Sequence, residues 1–276
     1  PVINEDLCTG CGICPKRCPV GAIKIINLAG EMGDPLIQYG VNSFRLYNFA
    51  IPKQDGVVAI VGKNGIGKST LLDVLSGKLL PNFFEFDKTH TLDEVIERTK
   101  NIELKNYFEK KLKVSYKIQN VELLQKVASE KTVIEVLTQF DEINNKENVI
   151  NKLVLNKILD SKLSELSGGE LQKVAIAVAM LKQSDLFFFD EPSTYLDIYE
   201  RIRIAQQIGN LSENHSVFVV EHDLAILDYL ADYVYVLFGD PGVYGVVSGI
   251  KGARAGINEF MEGYLRDENI RFRDVE

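Results

Sequence analysis

The sequence has no cysteine outside one short run, no long apolar stretch and no leader-like start. Each absence excludes something. The longest uninterrupted apolar run, "VAIAVAML" from Val174 to Leu181, is far short of the roughly 20 residues that a spanning helix needs. Residues 1–10 offer neither the basic start nor the apolar stretch of a secretory signal. These absences lead us to expect a cytoplasmic protein without a membrane partner. With 276 residues, 46% hydrophobic and 25% charged, the chain can build a large buried core. A net charge of −8 argues against a surface that coats itself in nucleic acid through bulk charge. One stretch runs against that balance: Lys100 to Lys117 holds six lysines and two glutamates.

All four cysteines, Cys8, Cys11, Cys14 and Cys18, lie in "CTGCGICPKRCP". Paired disulfides would suit an oxidising compartment, which a chain without an export signal does not reach. Zinc sites usually pair two C-x2-C units across a longer loop. The spacing C-x2-C-x2-C-x3-C-P is that of a bacterial-type ferredoxin loop, and Gly10, Gly12 and Pro19 suit it. In that pattern the first three thiolates hold one [4Fe–4S] cluster and the fourth reaches to a second. The second cluster needs cysteines that are not in this sequence. We therefore expect residues 1–30 to be half of a ferredoxin-like region, with a short strand at "AIKII". That expectation, and a start at Pro1 rather than Met, suggest a piece of a longer protein.

Further along, "GVVAIVG" reads as a strand buried in a parallel sheet. It leads into Gly62 to Ser69, a full G-x4-G-K-S match, and then into leucines at helical spacing. Strand, glycine loop and helix are the context a phosphate-binding loop requires. There the backbone N–H groups of Asn64, Gly65 and Gly67 and the helix dipole would cradle phosphate, with Lys68 on the β/γ-phosphates and Ser69 and Thr70 beside them. "LFFFDE" ends an apolar strand in Asp190 and Glu191. Two acids after a strand are commonly a solvated strand end; behind a phosphate loop, Asp190 suits Mg2+ and Glu191 suits polarising a water. The middle, about residues 90–160, reads as mostly helical with one strand at "KVSYKI". Buried strands alternating with helices give an α/β fold with a mostly parallel sheet.

"LSGGE", Leu166 to Glu170, follows a polar turn and opens a long apolar helix. With it, the sequence resembles the nucleotide-binding domain of ABC-type ATPases. The resemblance implies a P-loop core with an antiparallel β subdomain and a helical subdomain over 31–249, and ATP and Mg2+ as ligands. It assigns Gln119 as the Q-loop glutamine and Mg2+ contact, although Gln125 stands nearby. It makes Ser167, Gly168 and Gly169 the signature, Asp197 in "STYLD" the D-loop acid and His222 in "VVEHD" the switch histidine. His90 and His215, in polar surroundings, are expected to be merely solvated. No N-K-x-D base-reading motif of GTPases is present.

Cysteines of ferredoxin type ahead of such a domain mark subfamily E, the ribosome-recycling ATPases or RNase L inhibitors. "NGIGKST", "LSGGELQ", "FFDEPSTYLD", "VVEHDLAILDYLAD" and "GINEFMEGYL" with "ENIRFR" are similar to that subfamily's first ATPase domain. The resemblance implies a module that helps split ribosomes after termination or rescue. Its implied partners are the ribosome, mainly the small subunit, a release or rescue factor, and a second ATPase domain beyond a hinge beginning at 250–276. In that family Tyr39 and Phe44 would pack on adenine; alternatively both are apolar anchors of a hairpin. The lysine-rich stretch falls at a helix–loop–helix insertion facing ribosomal RNA, or is a solvated helix face. A cluster-coupled ATPase of cluster assembly or electron transfer, or a transporter's ATPase subunit, would share the nucleotide motifs.

Overall fold

The computed structural model describes residues 13–19, 34–117 and 121–273. The "AIKII" segment, Cys8, Cys11 and Gln119 lie outside them. A short helix, α1 (Ile13–Arg17), stands first. The hairpin β1 (Ile37–Gln38) and β2 (Arg45–Tyr47) precedes β3 (Val57–Gly62) and α2 (Lys68–Leu75). The middle comprises α3 (Leu92–Arg98), α4 (Ile102–Glu109), β4 (Val114–Lys117), α5 (Glu122–Val127), α6 (Val133–Phe140) and α7 (Lys146–Lys152). A single 3-10 turn, Leu163–Glu165, leads into α8 (Gly168–Met180). Next come β5 (Leu186–Asp190), α9 (Ile198–Ser212), β6 (Ser216–Val220), α10 (Leu224–Leu230), β7 (Tyr233–Asp240) and β8 (Tyr244–Val247). The short β9 (Lys251–Gly252), α11 (Ala253–Glu262) and the hairpin β10 (Tyr264–Leu265) and β11 (Ile270–Arg271) complete the described chain.

One sheet runs β1-β2-β8-β7-β3-β6-β5-β4, with β9 paired to β7. Strands β3, β4, β5, β6 and β7 pair in parallel, and the antiparallel pairs β1/β2, β7/β8 and β7/β9 extend that sheet at one side. Every residue of β3, β5 and β6 is buried, as expected of strands covered on both faces. Their alternation divides the core. Phe187, Phe189, Val217 and Val219 face α8 and α9, whereas Phe188, Phe218 and Ile60 face α2 and α4. The parallel register places Ile60 and Asp190 both opposite Val220 and Gly62 opposite Leu237. The carboxyl ends of β3, β5 and β6 therefore emerge along one edge, where open α/β sheets bind ligands.

Three helices begin with reciprocal caps: Thr91 with Glu94 at α3, Thr132 with Glu135 at α6, and Ser167 with Glu170 at α8. The lysine-rich stretch is not one cationic face. In α4, Leu104, Tyr107 and Phe108 are buried, with Phe49 packed on the two aromatic rings. Lys110, Lys111 and Lys113 are exposed, but Lys117 is 2% exposed, so it does not belong to the surface charge of this segment. Nor are the two histidines merely solvated. The His90 side chain is held among Glu85, Glu94 and Arg98, and His215 meets the Phe187 ring edge-on at 5.1 Å. Local polarity hid these contacts, because both histidines are covered by residues distant in sequence or on a neighbouring turn.

Residues 251–265 pack back onto the sheet. Ala253, Ile257 and Leu265 join the cluster of Ala59, Val61, Val234 and Val236. The buried Lys251 ammonium contacts Glu259 at 3.2 Å, Asp267 at 2.7 Å and Glu268 at 3.0 Å. Among the described residues no helix is long and apolar enough to cross a membrane.

Phe188 stacks on Phe218 at 5.3 Å and is 1% exposed. Phe188→Ala leaves a cavity between β5 and β6 and is expected to cost about 3–5 kcal/mol, read by urea unfolding.

Candidate functional site

At the carboxyl edge of the sheet, the loop from Gly62 to Gly67 turns β3 into α2. Gly65 and Gly67 have φ of 76° and 101°, left-handed values that suit glycine. Space excludes a side chain too: a Cβ on Gly67 would lie 2.5 Å from the Phe44 ring. The loop is thus pressed against the aromatic hairpin before α2 begins at Lys68. From the other side, the Gly242 N–H donates to the Gly65 carbonyl at 2.9 Å.

A cleft of about 450 Å³ opens over this loop. Its walls include Tyr39 and Phe44, Asn64 to Thr70 without Ile66, Asp190, Glu191 and His222. Of the residues picked from sequence, the structure brings these together from four separate segments. The Lys68 ammonium donates to the carbonyls of Gly62 at 2.7 Å and Lys63 at 3.1 Å, and reaches Asn64 Oδ1 at 3.5 Å. Burial lowers its pKa, opposed by the nearby Asp190 and Glu191 carboxylates. Tyr39 and Phe44 lie with ring centroids 6.4 Å apart, and the Tyr39 hydroxyl shares a 3.1 Å hydrogen bond with Thr70 Oγ1.

The acid pair is held from several sides. Burial raises the Asp190 pKa, and the Tyr116 hydroxyl, donating to Asp190 Oδ2 at 3.1 Å, opposes that rise. Glu191 has φ 47°, rare for a side chain with a Cβ. Its carboxylate accepts from Thr194 Oγ1 at 3.3 Å and stands 3.4 Å from His222 Nε2. Behind the pair, Lys117 donates to the Asp190 carbonyl at 2.7 Å. Burial pulls the Lys117 ammonium down to about 8, while Asp190, Glu191 and Glu221 draw it up.

Ser167, Gly168, Gly169 and Asp197 do not line this cleft. Ser167 caps α8, and a Cβ on Gly168 or Gly169 would press on Tyr195 at 3.3 Å and 2.9 Å respectively. The signature glycines are therefore packed under the segment holding Asp197, which itself caps α9 by accepting from the Glu200 N–H at 3.0 Å. Of the cysteines, Cys14 is exposed on α1 and Cys18 is half-buried just beyond it. Sequence reasoning missed Tyr116, Lys117, Gln172 and Glu221. Lys117 gave no sign in the sequence, because the apolar Val114 and Tyr116 of β4 mark the other phase, yet Ser115 and Lys117 are the pair the fold buries.

The family model described as "ABC transporter" matches residues 47–194, and that described as "4Fe-4S binding domain" matches residues 1–24. The chain belongs to the ABC transporter family. It is 50% identical to an uncharacterized ABC transporter ATP-binding protein of Methanocaldococcus jannaschii, over 99% of this chain and 46% of that protein. It is 45% identical to translation initiation factor RLI1 of Chaetomium thermophilum, again over 99% of this chain and 46% of the relative. A solved structure described as ribosome-bound archaeal Pelota and ABCE1 matches with a TM-score of 0.92 and 49% identity, over all of this chain and 47% of that one. The chain thus spans about half the length of the curated relatives it matches.

Gly67→Ala, at a left-handed position of this ABC domain, is expected to cost about 1–2 kcal/mol from the backbone alone. Displacement of Phe44 adds to that cost, and chemical denaturation of the variant checks the sum.

Proposed function

We propose that this chain is the ATP-binding and ATP-hydrolysing module of a ribosome-recycling factor that splits ribosomes into subunits after termination or rescue. The observation that carries the chemistry is the convergence of Lys68, Asp190, Glu191 and His222 on one glycine-lined cleft. The recycling role rests on similarity to proteins whose names and descriptions place them in translation or on the ribosome. We read the chain as 1–30 of ferredoxin-like character, 31–249 as the ATPase domain and 250–276 as the start of a hinge to a second ATPase domain. The expected setting is cytoplasmic, with the small subunit and a release or rescue factor as partners.

In this reading Tyr39 and Phe44 carry the adenine, and the N–H groups of Asn64, Gly65, Gly67 and Thr70 surround the phosphates. Lys68 offsets charge on the β/γ-phosphates. The donor set is oxygen-rich where Mg2+ would sit, with the Ser69 hydroxyl and the Asp190 carboxylate at the cleft and Gln119 as a further candidate. When bound, Mg2+ would neutralise charge developing on the transferring phosphoryl group. Glu191 accepts the proton of the attacking water as its oxygen bonds to the γ-phosphorus. The bond to the bridging oxygen breaks, leaving ADP and phosphate, and His222 donates a hydrogen bond to the γ-phosphate.

The signature lies outside this cleft, so Ser167, Gly168, Gly169 and Asp197 serve the ATP of an opposing domain. An isolated chain then holds two half-sites and turns over slowly, since losing one electrostatic clamp typically costs about 100- to 1,000-fold. The thiolates Cys8, Cys11 and Cys14 would hold one [4Fe–4S] cluster and Cys18 would serve another, which this chain cannot complete.

Lys68→Ala is expected to weaken ATP binding about 10- to 100-fold, through loss of a charge-assisted contact. Glu191→Gln should keep binding and slow hydrolysis by at least about 100-fold. Equilibrium binding of labelled ATP, phosphate release across a protein dilution series and ATP-dependent co-sedimentation with small ribosomal subunits test these points. Unchanged affinity in the Lys68 variant, or no ATP-dependent ribosome binding, would contradict the reading.

A further inference from the structure

Lys117, the last residue of β4, is buried yet is not among the residues lining the cleft. Its ammonium donates to the main-chain carbonyls of Asp190 at 2.7 Å and Glu191 at 3.4 Å. Gln172, buried in α8, donates its amide to the same Glu191 carbonyl at 2.7 Å. The Glu191 N–H in turn donates to the Val220 carbonyl at 2.8 Å.

These bonds converge where the strand has run out. β5 ends at Asp190, so the carbonyl of Glu191 lies beyond the strand, where these two side chains donate to it. The left-handed backbone of Glu191, φ 47°, is costly for a residue with a Cβ and persists only where surroundings impose it. Lys117 and Gln172 are those surroundings. A neutral side chain could satisfy one carbonyl, as Gln172 does. Burying an ammonium is expensive and calls for compensation by nearby charge. That compensation comes from the two carbonyls and from the attraction of the Asp190, Glu191 and Glu221 carboxylates. Glu221 is fixed as well, accepting from the N–H groups of Ser193, His222 and Asp223. One buried cation at the end of β4 thus holds the end of β5 behind the acid pair.

We infer that Lys117, acting with Gln172, is a positioning residue for the general base: it fixes the main chain of Asp190 and Glu191 so that the Glu191 carboxylate faces the cleft. The inference rests on the hydrolytic reading above. Lys117 does not line the cleft, and its whole effect on turnover passes through Glu191. Gln172 gives the arrangement a second consequence. The signature helix α8 holds the same carbonyl, so a displacement of α8 is felt at the base.

The test is a double-mutant cycle on the 276-residue chain. Single-turnover cleavage of labelled ATP is monitored with protein in excess, alongside ATP affinity and thermal midpoint. In Lys117→Met the cleavage rate should fall about 10- to 100-fold, the scale of a base displaced by about 1 Å. ATP affinity should stay within about threefold of wild type, since ground-state binding is untouched. In the Glu191→Gln background, Lys117→Met should change the residual rate by less than about twofold, because the group it positions is gone. Lys117→Gln, which keeps a donor but no charge, guards against a misfolded Met variant and should show the same silence in that background. An equal loss of rate with and without Glu191, a joint collapse of affinity and thermal midpoint in both variants, or an unchanged rate in Lys117→Met overturns the inference. A wild-type chain that releases no phosphate overturns the hydrolytic reading instead, which is a distinct result.

Discussion

The parallel pairing of β3 with β6 and of β6 with β5 is the constraint on which the rest depends. It sets Ile60 and Asp190 against the same residue, Val220, so that three strands end in line. The segments leaving those three strand ends are neighbours as a result. Gly62 begins the glycine loop, Glu191 succeeds Asp190, and Glu221 and His222 succeed Val220. A slip of one residue in β5 would turn Asp190 to the opposite face and bury Glu191 in its place.

On that edge, opposing electrostatic demands are met by layers. Toward the cleft lie Lys68 and the open N–H groups of the loop, which suit phosphate. With them stand the carboxylates of Asp190 and Glu191, which also line the cleft, while the buried Glu221 and Lys117 lie outside its walls. Burial raises the Asp190 pKa, opposed first by the Tyr116 hydrogen bond and then by Lys117, and it lowers that of Lys117, opposed by the nearby carboxylates. The signature, by contrast, lies outside the cleft, where a Cβ on Gly168 or Gly169 would press on Tyr195.

Much of this was legible in the sequence wherever function is local. The glycine loop, the acid pair and His222 are each defined by neighbours within a few residues, and strand–loop–helix context placed them. The alternation of apolar strands and helices gave the α/β class for the same reason. The features that escaped notice depend on distant contacts. Lys117 meets Asp190 across 73 residues of chain and Gln172 meets Glu191 across 19. Composition counted Lys117 with the surface charge of its segment, whereas only the inward phase of β4 removes it from water. His90 and His215 misled for a related reason, since polar neighbours in sequence do not show that one ring is enclosed by Glu85, Glu94 and Arg98 and the other set against the Phe187 ring.

The central claim is that the cleft over Gly62 to Thr70 takes ATP with its base on the aromatic hairpin and its phosphates at Lys68. Photolabelling with 8-azido-ATP, with mass spectrometry of the resulting peptides, locates the base without relying on turnover. The account predicts that label concentrates on the peptide holding Tyr39 and Phe44 and that excess unlabelled ATP removes it. Competable label confined to another part of the chain would contradict it.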